Sequence, residues 1–455
     1  MPRQPNGQSK IYLGADGAWH TYVTVGRKAD GTLDRRHIRG KTATAVADKV
    51  EALKAKLRIG HIPEVGKAPT IGAWLEEYLT VIAPRRVRAN TLQGYASTLR
   101  HNVIPAVGHI RLDRPLAEIV RELELFFSGF ERRVAPEHAV RTYRILSRAL
   151  KIAAQRGKLP RNPCELFDAP SGGSPEVEPL SVDEIRRILA AAHEADTLAR
   201  WWVGLALGLR QGEALGLLWD HVDIDSDTPS LRVQWELIRL KVRHGCKEPC
   251  GKRAGSCPQR QAGDSRTYPA GPNPGGLVFS PPKSKKGRRT LPLPKVLVDV
   301  LKEHRRRLKE ARLAIGPGWQ RIVGPDRENG GLVFPRVDGG PKDPRKDWGQ
   351  WKDILVAADV RQVERVGQRG RQAGKTYVTS TVRVHDARHA AGTTMFANGM
   401  ERRELMEWLG HSQISVSARY THVSPELMRA RAEQLNGALE LLQPGRATKP
   451  RKRSS

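Results

Sequence analysis

Residues able to do chemistry gather at five places, all beyond residue 200. In LALGLRQGEALGLLWDHVDI an apolar helix is expected to end near Gly208. Arg210 follows two residues on, with Glu213 three beyond it. The next apolar positions, Leu215, Leu217 and Trp219, predict a further packed helix. An arginine between buried elements is costly unless its donors are satisfied; Glu213 is placed to orient it and leave the outer fork for a phosphate. A purely structural Arg–Glu pair would read the same way. The second place, LVFSPPKSKKGRRTLPLP, predicts a hairpin holding Lys283, Lys285, Lys286, Arg288 and Arg289 around a tight basic turn. A lysine there can enter a DNA groove or, with a lowered pKa, protonate a leaving oxygen; a solvated charge run is the plain alternative. In RVHDARHAAGTTMFANG, His385 and Arg388 stand three apart, side by side on a helical turn, with His389 one position round. LMEWLGHSQISVSARYTHV closes a helix at Gly410, opens the next element at His411, and reaches Tyr420 nine residues later.

Together these are two arginines, a lysine, two histidines and a tyrosine. Hydrolysis by a metal would call for clustered carboxylates, and none accompanies the set. Arginines match a phosphodiester becoming pentavalent, whose charge spreads over its non-bridging oxygens. A tyrosine hydroxyl can attack that phosphorus and keep the bond energy as a phosphotyrosine ester. Rejoining then needs neither ATP nor a metal.

The rest of the chain must position this set. With 455 residues, two to four domains are expected. Lys plus Arg number 78 against 48 Asp plus Glu, a formal charge of +30 that predicts a polyanionic partner. No run approaches about 18 uncharged apolar residues, which argues against a membrane span. MPRQPNGQSK lacks the apolar core of a secretory signal, and three of the four cysteines crowd into one segment, so cytoplasmic residence is expected. Residues 11–40 read as short strands with turns at Asp16–Gly17 and Asp30–Gly31, followed by a helix at about 42–58. Residues 1–68 carry 13 basic against 6 acidic residues, which suits a small DNA-contacting module. Helices are then expected around Trp74, Leu75, Tyr78 and Leu79, from Thr91 to Arg100 and His101, and over 138–159. In the last, Val140, Tyr143, Leu146 and Leu150 face one way and Arg141, Arg144, Arg148 and Lys151 the other, as in a helix lying along DNA. DAPSGGSPEVEPL is a linker by composition, and Ser181 with Glu184 forms a capping-box pattern that opens the second large domain. GRATKPRKRSS is a basic tail.

GLRQGEALGL, PPKSKKGRRTLPLP, HDARH and LGHSQISVSARYTHVSPE, in that order and spacing, make the chain resemble the tyrosine recombinase family, specifically integrases of actinobacterial phages or integrative elements. The resemblance implies a multidomain protein: a small β-sheet plus helix as arm-type DNA-binding module (1–67), an all-α core-binding domain (68–167), a linker (168–180), and a mainly α catalytic domain of α+β type (181–440), then the tail (441–455). It further implies site-specific recombination between double-stranded DNA attachment sites, integrating and, with a helper, excising. Arg210 and Arg388 would clamp the scissile phosphate. Tyr420 would be the nucleophile, forming a 3′-phosphotyrosyl link. Lys283 would be the general acid, with Lys285 as the other candidate. His411 would bond a non-bridging oxygen, His385 would assist proton transfer, and Glu213 would support Arg210. Family members act as tetramers, with excision helpers and a host DNA-bending protein, in the bacterial cytoplasm at the nucleoid. Leu427, Ala430, Leu435 and Leu439 resemble the apolar side of the terminal helix that docks on a neighbouring subunit. The rival readings are a non-catalytic recombination accessory and a type IB topoisomerase-like relaxing enzyme.

Two inserts depart from the pattern. Residues 243–276 include His244, Cys246, Cys250 and Cys257, a tetrahedral zinc complement in a loop otherwise unable to fold, though at irregular spacing; a metal-free loop is the alternative. Zinc there would be structural, and catalysis needs no cofactor. Residues 363–380 read as a basic loop with Arg365, Arg369, Arg371 and Lys375, a candidate for DNA contact.

Overall fold

Alternating residues of the first long strand point Val23 and Val25 inward, and that period of two makes a sheet rather than a helix the way to bury them. The computed structural model describes residues 10–27, 32–58, 68–172, 178–248, 250–262, 267–271, 276–326, 330–367, 373–410, 425–440 and 442. The chain divides into two units, Met1–Pro175 and Glu176–Ser455.

In the first unit, β1 (Tyr12–Leu13), β2 (Trp19–Arg27) and β3 (Leu33–Gly40) form an antiparallel sheet in chain order, with a bulge between Thr24 and Gly26. Helix α1 (Ala43–Arg58) packs Val46 and Val50 against Val23, a core of a few side chains. The helical part comprises α2 (Ile71–Glu77), α3 (Ala89–Thr98), α4 (Ile104–Val107), α5 (Leu116–Glu131) and α6 (Pro136–Gln155). Thr70 caps α2 by accepting from the Ala73 amide. Trp74 is fully buried and its indole N–H donates to the Ala149 carbonyl at 3.0 Å, joining α2 to α6. Helix α5, unanticipated above, buries Ile119, Leu123, Phe126, Phe127 and Phe130 along one face.

The second unit begins with α7 (Val182–Glu194), where the Ser181–Glu184 capping box is formed as the spacing predicts. Then come α8 (Leu198–Leu207), α9 (Gln211–Leu215), β4 (Val222–Asp223), β5 (Ser230–Val233), β6 (Glu236–Arg239), β7 (Tyr268–Pro269), β8 (Leu277–Ser280), β9 (Arg289–Pro292), α10 (Lys295–Ile315), α11 (Pro344–Ala357), β10 (Gln362–Val366), β11 (Thr376–Ser380), α12 (Val384–Ala397), α13 (Arg402–Leu409) and α14 (Pro425–Glu440). From Ala199 to Leu207 every residue of α8 is buried, so it is the central rod of the core. Its one charge, Arg200, pairs with buried Asp347 of α11 in two parallel bonds of 2.9 and 2.7 Å. Among the described residues, no helix is long and apolar enough to cross a membrane.

Several local expectations change. The lysine segment is not a hairpin: β8 pairs with β6 (Leu237 opposite Phe279), whereas β9 pairs with β5 (Leu231 opposite Leu291). Pro281 and Pro282 end β8 because neither has an amide hydrogen for the ladder, and the chain crosses to another sheet. The helix expected through Trp219 stops at Leu215; Gly216 is its C-cap, and a 3₁₀ turn follows at Trp219–His221. The insert at 243–276 supplies an edge strand, with Tyr268 opposite Phe279. In the segment expected as a basic loop at 363–380, the described flanks form an antiparallel pair, Gln362 opposite Ser380 through Val366 opposite Thr376, while Arg369 and Arg371 lie outside the described residues. Helix α14 packs onto its own unit, against α10 and β9, burying Met428, Ala432, Leu435 and Leu439. Spacings of four, three and four define that face, and Ala430 falls off it and is exposed, while the side chain of Leu427 lies outside the described residues.

Candidate functional site

Two glycines set the frame. Gly208 ends α8 and Gly410 ends α13, each in the left-handed conformation with φ of 66° and 68°. The left-handed backbone at Gly208 favours glycine, and a side chain there would begin 2.6 Å from a Leu409 methyl, which would have to move aside.

Arginines fill the space between these ends. Arg388, on α12, donates to the Gly208 carbonyl at 2.6 Å and to the Leu409 carbonyl. Arg289, at the start of β9, donates to the Trp408 carbonyl at 2.6 Å, and Arg210 reaches the Gly410 carbonyl at 3.4 Å. Three consecutive carbonyls at the end of α13 thus each take a different arginine. These are carbonyls a helix end leaves without internal partners.

Glu213, 1% exposed, lies at the centre. It accepts from Arg210 Nη1 at 2.6 Å, from the Arg210 amide at 3.0 Å and from Arg289 Nη2 at 3.0 Å, with Arg388 Nη1 at 4.0 Å. Burial alone would raise its pKa; the charges of Arg289 and Arg210 outweigh this and hold the carboxyl below its usual range. Three guanidiniums against one carboxylate leave two positive charges uncompensated within the cluster. Burial, then the charges of Arg210 and Arg289, pull Arg388 down to about 9 against the effect of Glu213. It stays protonated at neutral pH, and an arriving anion would relieve the strain on it. Arg210 is 36% exposed and Arg388 only 3%, so Arg210 offers the open edge.

His385 occupies the first turn of α12, its ring against that of His389 at 4.9 Å, edge to face. Partial burial, followed by His389, Arg388 and Arg210, pushes it down to about 4, although the residue as a whole is exposed. It is neutral at pH 7. Lys283 is exposed on the turn between β8 and β9. Arg289 Nη1 donates to the Gly287 carbonyl of that turn at 2.9 Å, which holds the turn against the arginine cluster. The side chain of Lys285, and all of His411 and Tyr420, lie outside the described residues.

The structure therefore brings Arg210, Glu213, Arg388 and His385 together and adds Arg289, which the sequence reading had left among the turn's basic residues. Its signal was available. In β9, Arg289 and Leu291 share the inward side and Thr290 faces out, so the period of two marks Arg289 as inward. His244, Cys246, Cys250 and Cys257 are also brought together, with their ligand atoms within 4.8 Å of one another.

A net positive cluster of this kind, on a mainly helical domain with small sheets, is suited to an anion such as a phosphodiester. Residues 178–426 match the model of the phage integrase family, and the chain belongs to that family. It is a tyrosine site-specific recombinase. An integrase of Saccharopolyspora erythraea is 33% identical over 95% of this chain and 97% of its own length. A XerC-like tyrosine recombinase of Caldanaerobacter subterraneus subsp. tengcongensis is 26% identical over 91% of this chain and 94% of its own. Among solved structures, the Tn1549 transposon integrase in complex with a circular intermediate DNA shares the fold, with a TM-score of 0.55 and 16% identity over 81% of this chain and all of that one.

Proposed function

We propose that the chain cuts and rejoins duplex attachment-site DNA through Tyr420, with the arginine cluster as its phosphate site. The observation that carries this reading is the buried Glu213 with three arginines around it, a net positive pocket at the end of α13. The Tyr420 oxygen attacks the scissile phosphorus; the bond from phosphorus to the 5′ oxygen breaks as the bond to tyrosine forms. Neutral His385 takes the tyrosine proton or holds the hydroxyl in place, and Lys283 gives a proton to the departing 5′ oxygen. Arg210 and Arg388 bind the non-bridging oxygens with His411, while Glu213 and Arg289 keep the two arginines aimed. Rejoining reverses each transfer, so no step calls on a cofactor.

The amino-terminal sheet and the helical part of the first unit serve, on this reading, as arm-type and core-binding modules, divided at 67/68, with 168–180 as linker. The working assembly is a homotetramer on two DNA duplexes in the bacterial cytoplasm, joined for excision by a helper and a host DNA-bending protein.

The test is covalent trapping on nicked attachment-site DNA in the presence of chelator, comparing wild type with Tyr420→Phe. A denaturant-resistant adduct only in the wild type is expected. Tight binding by both proteins with no adduct from either would refute the cleavage reading.

A further inference from the structure

The segment 241–262 lacks the means to hold itself together. Among its described residues only Cys257 is fully buried, so it has no apolar core of its own. Its neck is closed by the Leu240 amide on the Gly276 carbonyl at 2.8 Å and by reciprocal bonds of 2.9 Å between Arg243 and Gln261. Beyond that neck a 3₁₀ turn at Ala254–Ser256 delivers Cys257 back toward Cys246. Four side chains then converge. Cys250 Sγ lies 3.3 Å from His244 Nδ1, Cys246 Sγ 3.8 Å from the same nitrogen, and Cys246 Sγ 3.8 Å from Cys257 Sγ.

These three of the six ligand-to-ligand separations match edges of a tetrahedron that could surround a metal ion, and all the ligand atoms lie within 4.8 Å of one another. With zinc–sulfur bonds of about 2.3 Å and zinc–nitrogen bonds of about 2.0–2.1 Å, tetrahedral angles require roughly 3.8 Å between sulfurs and roughly 3.6 Å from sulfur to nitrogen. Three thiols cannot all be satisfied by one disulfide, and the fourth cysteine, Cys164, is buried in the other unit.

We propose that His244, Cys246, Cys250 and Cys257 form a structural zinc site that fixes this insert as a basic knuckle on β6 and β8. The site has four protein ligands and no open position, so the metal holds structure and does no chemistry. Three thiolates, a neutral imidazole and a divalent ion carry one net negative charge. Exposed Lys247, Lys252 and Arg253 lie within the same knuckle to offset it. This proposal stands apart from the cleavage reading, since no proposed cleavage step uses these four residues.

The full chain, purified under reducing conditions and passed through metal-free buffer, is expected to carry one zinc per chain by plasma mass spectrometry. Cys250→Ser and Cys257→Ser should each lower this at least tenfold, while Cys164→Ser keeps it. Cobalt in place of zinc should give tetrahedral ligand-field bands with thiolate charge transfer. Trypsin should cut after Lys247, Lys252 or Arg253 only once a chelator is added, a readout that survives if one variant misfolds. Fully reduced protein that takes up neither metal, a six-coordinate cobalt spectrum, or a native disulfide between two of these cysteines would each overturn the proposal.

Discussion

Replacing Glu213 by glutamine removes one charge and alters little else in shape, which makes it the sharpest probe of the arginine cluster. The carboxylate faces guanidinium nitrogens at 2.6, 3.0 and 4.0 Å. At an effective dielectric of about 20, a pair of unit charges about 4 Å apart is worth about 4 kcal/mol. Part of that was spent on desolvation, and removing one partner of a buried pair usually costs about 3–5 kcal/mol. Glutamine keeps one acceptor oxygen but turns an amide N–H₂ toward a guanidinium. At roughly 2–4 °C per kcal/mol for a domain of this size, Glu213→Gln should melt about 6–20 °C below wild type in the DNA-free protein. Because Glu213 titrates below its ordinary value of 4.5, its contribution is complete above that pH and fades as the pH falls through its lowered folded-state pKa. The gap between the two melting curves should therefore close in acid. Scanning calorimetry at pH 7.5 and at progressively lower pH measures it. A melting point within about 1 °C of wild type at pH 7.5 would show that the carboxylate does not bind the cluster.

Three further outcomes are expected. His385, held near 4 against an ordinary 6.5, binds fewer protons folded than unfolded between those values, so it erodes stability as pH falls from 6.5 to 4; His385→Gln should lessen that acid-side decline in melting temperature, and an unchanged slope would contradict it. Asp347→Ala strands buried Arg200 and should cost about 3–5 kcal/mol by urea denaturation, while the double change Arg200→Met with Asp347→Leu should regain most of it. Leu435→Ala in α14 should cost about 2–5 kcal/mol at every protein concentration; a concentration-dependent loss would mean that the helix packs on a neighbour instead.

What could be read from the sequence was what local rules govern. The Ser181–Glu184 box, the glycine stops at 208 and 410, and the neighbourhood of His385 and Arg388 on one turn depend on residues a few positions apart. Failures came where a distant partner decides. Nothing near Pro281 says that β9 will choose Leu231 of β5 over its own neighbour β8. Likewise, the four metal-ligand candidates were visible as residue types, but their convergence depends on the turn at Ala254–Ser256 and on the neck between Arg243 and Gln261. Helix α5 was a different kind of omission, because its apolar spacing was in plain view.

The arginine cluster makes the proposed phosphate site and the end of α13 one structure. Arginines gathered around a lone carboxylate would repel one another; the carbonyls of Gly208, Trp408, Leu409 and Gly410 reduce that repulsion without adding net charge. The cluster therefore holds together without DNA and still carries two surplus positive charges for an anion. The same bonds fasten the end of α13, so Gly410 lies against the arginine cluster proposed to bind phosphate. Loosening any one arginine should then disturb phosphate binding and the starting point of the 411–420 segment together, which predicts that their effects on adduct formation are far from additive.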